Sequence, residues 1–158
     1  MNDSRPVIGW REWISLPDHG ISAMKVKVDT GARTSSLHAE HIEIHDDDGV
    51  RTVRFTCRPW QRSDADAVTI ELPLLSEEQV RSSNGATELR PVVALSMRLS
   101  GVRWQSPVTL TDRSDMGFRM LLGRTSMAGR FLVDPSASYL AGRATPELRR
   151  RNRGKSPA

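Results

Sequence analysis

The triplet Asp29-Thr30-Gly31 occurs once in the chain and sets a carboxylate where it could do acid–base chemistry. Directly before it, Met24, Val26 and Val28 alternate with Ala23, Lys25 and Lys27. That period of two reads as a half-buried strand. The glycine ends the strand and allows a backbone turn that larger residues resist. An acid on such a turn is held by a sheet without being buried inside it, which is where reactive groups tend to sit. Asp-x-Gly is also ordinary turn chemistry, so the triplet acquires meaning only from a second segment. That segment is Met120-Leu-Leu-Gly-Arg-Thr-Ser-Met127, a short apolar run closed by Gly123-Arg124 and followed by a helical turn over 125–129.

Together these segments resemble a known family. Val28-Asp-Thr-Gly-Ala-Arg-Thr-Ser-Ser-Leu-His-Ala39, Thr111-Asp-Arg-Ser-Asp-Met116 and Leu122-Gly-Arg124 are similar to the motifs of retropepsin-type aspartic proteases. They resemble most the bacterial branch labelled ATP-dependent zinc proteases, which accompanies glutamate ligases. The resemblance implies an all-β, retropepsin-like acid-protease barrel with a short C-terminal helical turn. It also implies a peptidase whose two carboxylates share one proton, one acting as acid and the other as base. With a single Asp-Thr-Gly, the second carboxylate must come from another copy across a two-fold axis, so a homodimer is expected.

The resemblance gives the motif residues their roles. Asp29 supplies the carboxylate, Thr30 bonds across the two-fold, and Gly31 lets an amide approach the acid. Ala32 offers no hydroxyl to it. A turn at Asn84-Gly85 falls where retropepsins carry the flap that closes on substrate. At Arg33 the chain departs from the pattern, because those enzymes usually place there an acid that pairs with the arginine equivalent to Arg124. With Arg113, and Arg90 beside it, Arg33 and Arg124 would line the site with guanidiniums, which bind carboxylates bidentately. The substrate expected is therefore an acidic peptide or protein, and the resemblance points to the poly-glutamate tail of a ribosomal protein. The competing account pairs these arginines with Asp112, Asp115 or Asp134.

His38, His41 and His45 form His-x-x-His-x-x-x-His, but on a strand this spacing does not gather them on one face. They read as solvent-facing, and His-Glu-x-x-His is absent, so no metal ligands are assigned. No glycine-rich phosphate loop occurs, and no cofactor is implied. Two other functions stay open: a non-catalytic dimeric peptide-binding module of the same fold, and a zinc-dependent peptidase.

With 158 residues, 37% of them hydrophobic and 5% aromatic, the chain suits one domain. No stretch matches a membrane span or a secretory leader, so a cytoplasmic protein is expected. The single cysteine, Cys57, excludes an internal disulfide and reads as a small core residue. The net charge of +4 is smaller than the five cations of Arg149-Arg-Arg-Asn-Arg-Gly-Lys155, so the body is close to neutral. The expected divisions are an N-terminal arm at 1–6, the peptidase domain at 7–140, and a disordered basic tail at 141–158. A nucleic-acid contact through that tail is the minor reading.

Strands are expected from Val7 to Leu16, broken at Pro17, and from Leu37 to Ile44, returning at Val53 to Cys57 around Asp46-Asp-Asp-Gly49. Val68, Ile70 and Leu72 alternate as another. Asn84-Gly85 suits a two-residue hairpin turn, and a further hairpin joins Val92–Leu99 to Val102–Thr111 about Ser100-Gly101.

Overall fold

A computed structural model describes residues 3–81, 85–112 and 117–155. The chain begins with β1 (Val7–Ile8) and β2 (Arg11–Leu16), and Gly20 at φ 71 turns it into β3 (Ile21–Val28). Then come β4 (Ser35–His38), β5 (Glu40–Asp47), β6 (Val50–Cys57), β7 (Val68–Pro73) and β8 (Ser76–Arg81). β9 (Thr87–Leu99) and β10 (Val102–Thr111) lead to β11 (Met120–Leu122), helix α1 (Arg124–Met127), β12 (Leu132–Val133) and helix α2 (Pro146–Asn152).

Six strands close into a barrel in the order β10-β4-β11-β3-β2-β9, with β9 pairing back onto β10. The chain is thus mainly β, with the expected short helical turn at α1. Closure leaves no barrel edge unpaired. Two pairings bear on chemistry: β11 runs parallel to β3 (Leu122 beside Val28) and antiparallel to β4 (Met120 beside Leu37). The N-terminal half of β9 leaves the barrel and pairs with β8, Ser76 opposite Val92 through Arg81 opposite Thr87. A separate sheet holds β5-β6-β7.

The alternation seen in the sequence is the inward face of the barrel. Met24, Val26, Val28, Leu37, Val93, Leu95, Met97, Val108, Leu110, Met120 and Leu122 are all buried in one cluster. Each such side chain contributes about 1.5–3 kcal/mol on leaving water. Cys57 is buried in the same cluster, and burial pushes its thiol up to about 12. The two hairpin turns at Asp48-Gly49 (φ 52, 83) and Ser100-Gly101 (φ 51, 78) have the paired positive φ values that two-residue loops need.

The turn expected at Asn84-Gly85 lies partly outside the described residues, among which the pairing of β8 with β9 runs as far as Arg81 opposite Thr87. Gly85 takes φ 84, and Asn84 lies outside the described residues. Two expectations are corrected. The basic segment at 141–158, expected as a disordered tail, contains α2. Thr145 caps it by accepting the Leu148 amide at 3.3 Å, and Pro146 stands at its start. Asn152, buried, anchors the helix: its Oδ1 accepts the Gln61 amide (2.9 Å) and its Nδ2 donates to Gln61 Oε1 (2.8 Å). His38, expected to face solvent, is fully buried. Among the described residues no helix is long and apolar enough to cross a membrane.

Candidate active site

β3 delivers Asp29 to the end of the barrel, and β11 holds it there. The Asp29 amide donates to Leu122 O (2.9 Å), continuing the parallel pairing one residue past the strand. The chain then turns back, and Arg124 and Thr125 donate their amides to Ala32 O (2.8 Å) and Arg33 O (3.0 Å). The loop 29–33 is therefore bracketed by segment 122–125 through three backbone hydrogen bonds.

Within that bracket the acid is fixed by its own turn. Asp29 Oδ1 accepts the amides of Gly31 (2.9 Å) and Ala32 (3.2 Å). Both bonds fall on one oxygen; among the described residues Oδ2 has no protein partner. The residue is half-buried, while Thr30 and Gly31 are exposed. A Cβ at Gly31 would stand 3.2 Å from that same Oδ1, so the small residue permits the close approach.

Arg124 carries a role that its type and position alone did not reveal. Its Nη1 donates to Thr30 O and Gly31 O, both at 3.0 Å. A guanidinium thus clamps the acid's loop through its carbonyls, and no acid at position 33 is needed for this. Arg33 is exposed, and Arg90 donates to Glu88 (3.3 Å). Asp134 is held by Ser136 instead of by an arginine. Arg113 lies outside the described residues. Beside Thr30 and Arg124 opens a shallow, mostly apolar depression of about 330 Å³, lined by Met127, Phe131 and Val133.

Beneath the loop lies a buried hydroxyl chain that sequence reading missed. Ser126 Oγ stands 2.6 Å from Ser35 Oγ and 2.7 Å from Ser106 Oγ, and Ser35 Oγ accepts the Gly123 amide (3.0 Å). It ties β4, β10 and α1 together under Gly123. Glycine is required there for space: an added Cβ would fall on the Thr34 carbonyl, well inside the 3.0 Å that real Cβ atoms keep. The available signal was three serines in the inward phase of otherwise apolar segments.

His38 forms a second buried polar knot at the far end of β4. Its Nε2 stands 2.9 Å from Glu40 Oε2 and its Nδ1 3.5 Å from Asp112 Oδ1, while Arg58 Nε donates to Glu40 at 2.7 Å. The bond from His38, and then the Arg58 guanidinium, hold the Glu40 carboxyl below the usual range. Its place at the junction of β4, β5 and the end of β10 makes this an internal tie. Among the described residues no three His, Cys, Asp or Glu side chains gather so as to hold a metal ion.

A closed six-stranded barrel, an acid on a glycine turn after β3 and a Gly-Arg crossing from the parallel β11 define the retropepsin-like class. The chain belongs to the RimB-like family, described as retropepsin-like aspartic endopeptidase RimB, whose model matches residues 7–144. Similar curated proteins are described as probable alpha-L-glutamate ligase. One from Shewanella pealeana is 42% identical over 90% of this chain, and one from Parasynechococcus marenigrum is 43% identical over 86%. The chain spans only 31% and 29% of those proteins' lengths. Among solved structures, Lpg0085 of Legionella pneumophila, a protein of unknown function, is similar with a TM-score of 0.74 and 27% identity. That match covers 87% of this chain and 99% of the other.

Proposed function

We propose that the chain is an aspartic peptidase that hydrolyses peptide bonds with a dyad of Asp29 carboxyls, one from each of two copies. The observation that carries this reading is the one-sided fixing of Asp29. Oδ1 is tied down by two amides, and Oδ2 is left to share a proton with a twin carboxyl. Two carboxyls so placed cannot both ionise, so one removes a proton from water while the other protonates the scissile carbonyl. Loop rigidity supports the same reading, because the Arg124 clamp keeps the acid in a geometry that two copies could superpose.

The substrate class follows from the arginines and from the relatives. Arg33 is exposed at the end of the acid's loop and suits carboxylate side chains, and the relatives are described as probable alpha-L-glutamate ligases. A glutamate-rich tail is the substrate proposed, and the depression beside Thr30 is where the second copy or the substrate would pack. The test is cleavage of a glutamate-rich peptide by wild type and Asp29→Asn, with sedimentation of both. Turnover by wild type alone, from a dimer, is the expected result. Equal turnover by the two proteins, or cleavage by a monomer, would overturn the dyad.

A further inference from the structure

The helix α2 divides its arginines by face. Arg151 is committed to structure, donating to Asp66 (2.9 Å) and Glu147 (3.0 Å). Arg149 and Arg153, four residues apart and so on one face, turn instead toward a cleft of about 90 Å³ between α2 and the barrel. Lys25 of β3 and Arg143 meet them there, with Trp13 and Tyr139 as its floor. Among the described residues none of these four cations is ion-paired, whereas Arg58, Arg103 and Arg151 are. Four like charges converging on so small a space form a site that lacks its counter-charge.

The aromatic floor serves the cations. Arg11 and Arg143 each stand 4.9 Å from the centre of the Tyr139 ring and Lys25 5.6 Å, and Trp13 is buried. The rings hold the charges in place. The cleft has room for a carboxylate-sized group beside these cations.

The cleft also lies in line with the acid. On β3, Met24, Val26 and Val28 are buried, so Lys25, Lys27 and Asp29 share the outer phase of the strand. At about 3.3 Å per residue, Lys27 is about 7 Å and Lys25 about 13 Å from Asp29 along the strand. An extended peptide presents alternate side chains at the same spacing of about 7 Å. The geometry points to a second binding site: Lys25, Arg143, Arg149 and Arg153 receive carboxylate side chains of an acidic peptide, away from the bond being cut. This inference rests on the peptidase reading for its ligand and on the unpaired cations for its place.

The test uses the full chain carrying Asp29→Asn, which separates binding from turnover, and a labelled poly-L-glutamate peptide as probe. Replacing two charge-assisted contacts in R149Q/R153Q should weaken binding on the order of tenfold. R149K/R153K should restore most of it, with the melting temperature unchanged in both. On an active background the same change should raise KM and leave kcat alone. Unaltered peptide affinity in R149Q/R153Q overturns the site while leaving peptidase activity intact. Affinity lost in the variant, with no cleavage by wild type, would uphold the site and sink the enzyme reading. A single-stranded RNA of equal charge that binds more tightly than the peptide and loses its affinity in R149Q/R153Q would overturn the peptide assignment.

Discussion

Gly123→Ala tests most directly how the acid is held. Its backbone is extended (φ −93, ψ 175), so alanine meets no conformational penalty there and the whole effect is steric. The new methyl would overlap the Thr34 carbonyl, an atom of the main chain that has no rotamer in which to escape. To regain ordinary contact the two crossing segments must part by about 1 Å. That strain should cost about 2 kcal/mol, in the usual range for overpacking, and lower the melting temperature by about 4–8 °C for a chain of this size. The displaced segment also carries the amides that bond Ala32 O and Arg33 O, so the shift reaches Asp29. A misplacement of about 1 Å at a reacting group costs about 100-fold in rate. Thermal melting and steady-state cleavage of a glutamate-rich peptide measure the two effects. Gly117→Ala is the control, because an added Cβ there meets open space. Wild-type melting and turnover in Gly123→Ala would refute the steric argument.

Three further outcomes are expected. Arg124→Ala removes two 3.0 Å bonds from the acid's loop and should lose about 1 kcal/mol of stability, yet about 100-fold in kcat, with Arg124→Lys intermediate; near-normal kcat in Arg124→Ala would dismiss the clamp. Glu12, fully buried, accepts the amides of Gly9 (2.7 Å), Leu140 (3.0 Å) and Ala141 (3.0 Å), so Glu12→Gln should lose about 2–4 kcal/mol in denaturant unfolding. Glu40 has its carboxyl held low chiefly by His38, so its contribution is complete above the usual carboxylate range and fades as pH falls through its lowered value. Melting curves of Glu40→Gln and wild type should therefore diverge at neutral pH and converge in acid; a constant gap would exclude the linkage.

The strands were legible because a closed barrel has one inside, and alternation such as Met24-Val26-Val28 records it. The acid was legible because Gly31 follows a strand. What escaped were pairings between distant segments. Nothing near Arg124 announces that its partners are the carbonyls of Thr30 and Gly31, some ninety residues earlier. His38 was read as solvent-facing because the spacing of the three histidines on a strand gathers no ligand set, yet Glu40 and Asp112 satisfy it and so permit its burial. The helix α2 did carry a local signal, Thr145-Pro146-Glu147 as cap, first residue and first-turn acid, which the density of arginines obscured. Glu12 was visible as an acid in the same phase as Ile14 and Leu16, the mark of a buried carboxylate awaiting donors.

Among the described residues the barrel has no open margin, but the small sheet β5-β6-β7 has two, and β5 forms one of them. Its outer length bears Glu43, Asp46 and Asp47, all exposed, with Asp48 at the turn and a kink at His41 (φ 53). A stray strand trying to dock there would meet a row of negative charges on a bent backbone, the two features that discourage edge-to-edge growth. Such a margin favours separate molecules over chains joined strand to strand, and replacing those acids with neutral residues would remove the safeguard.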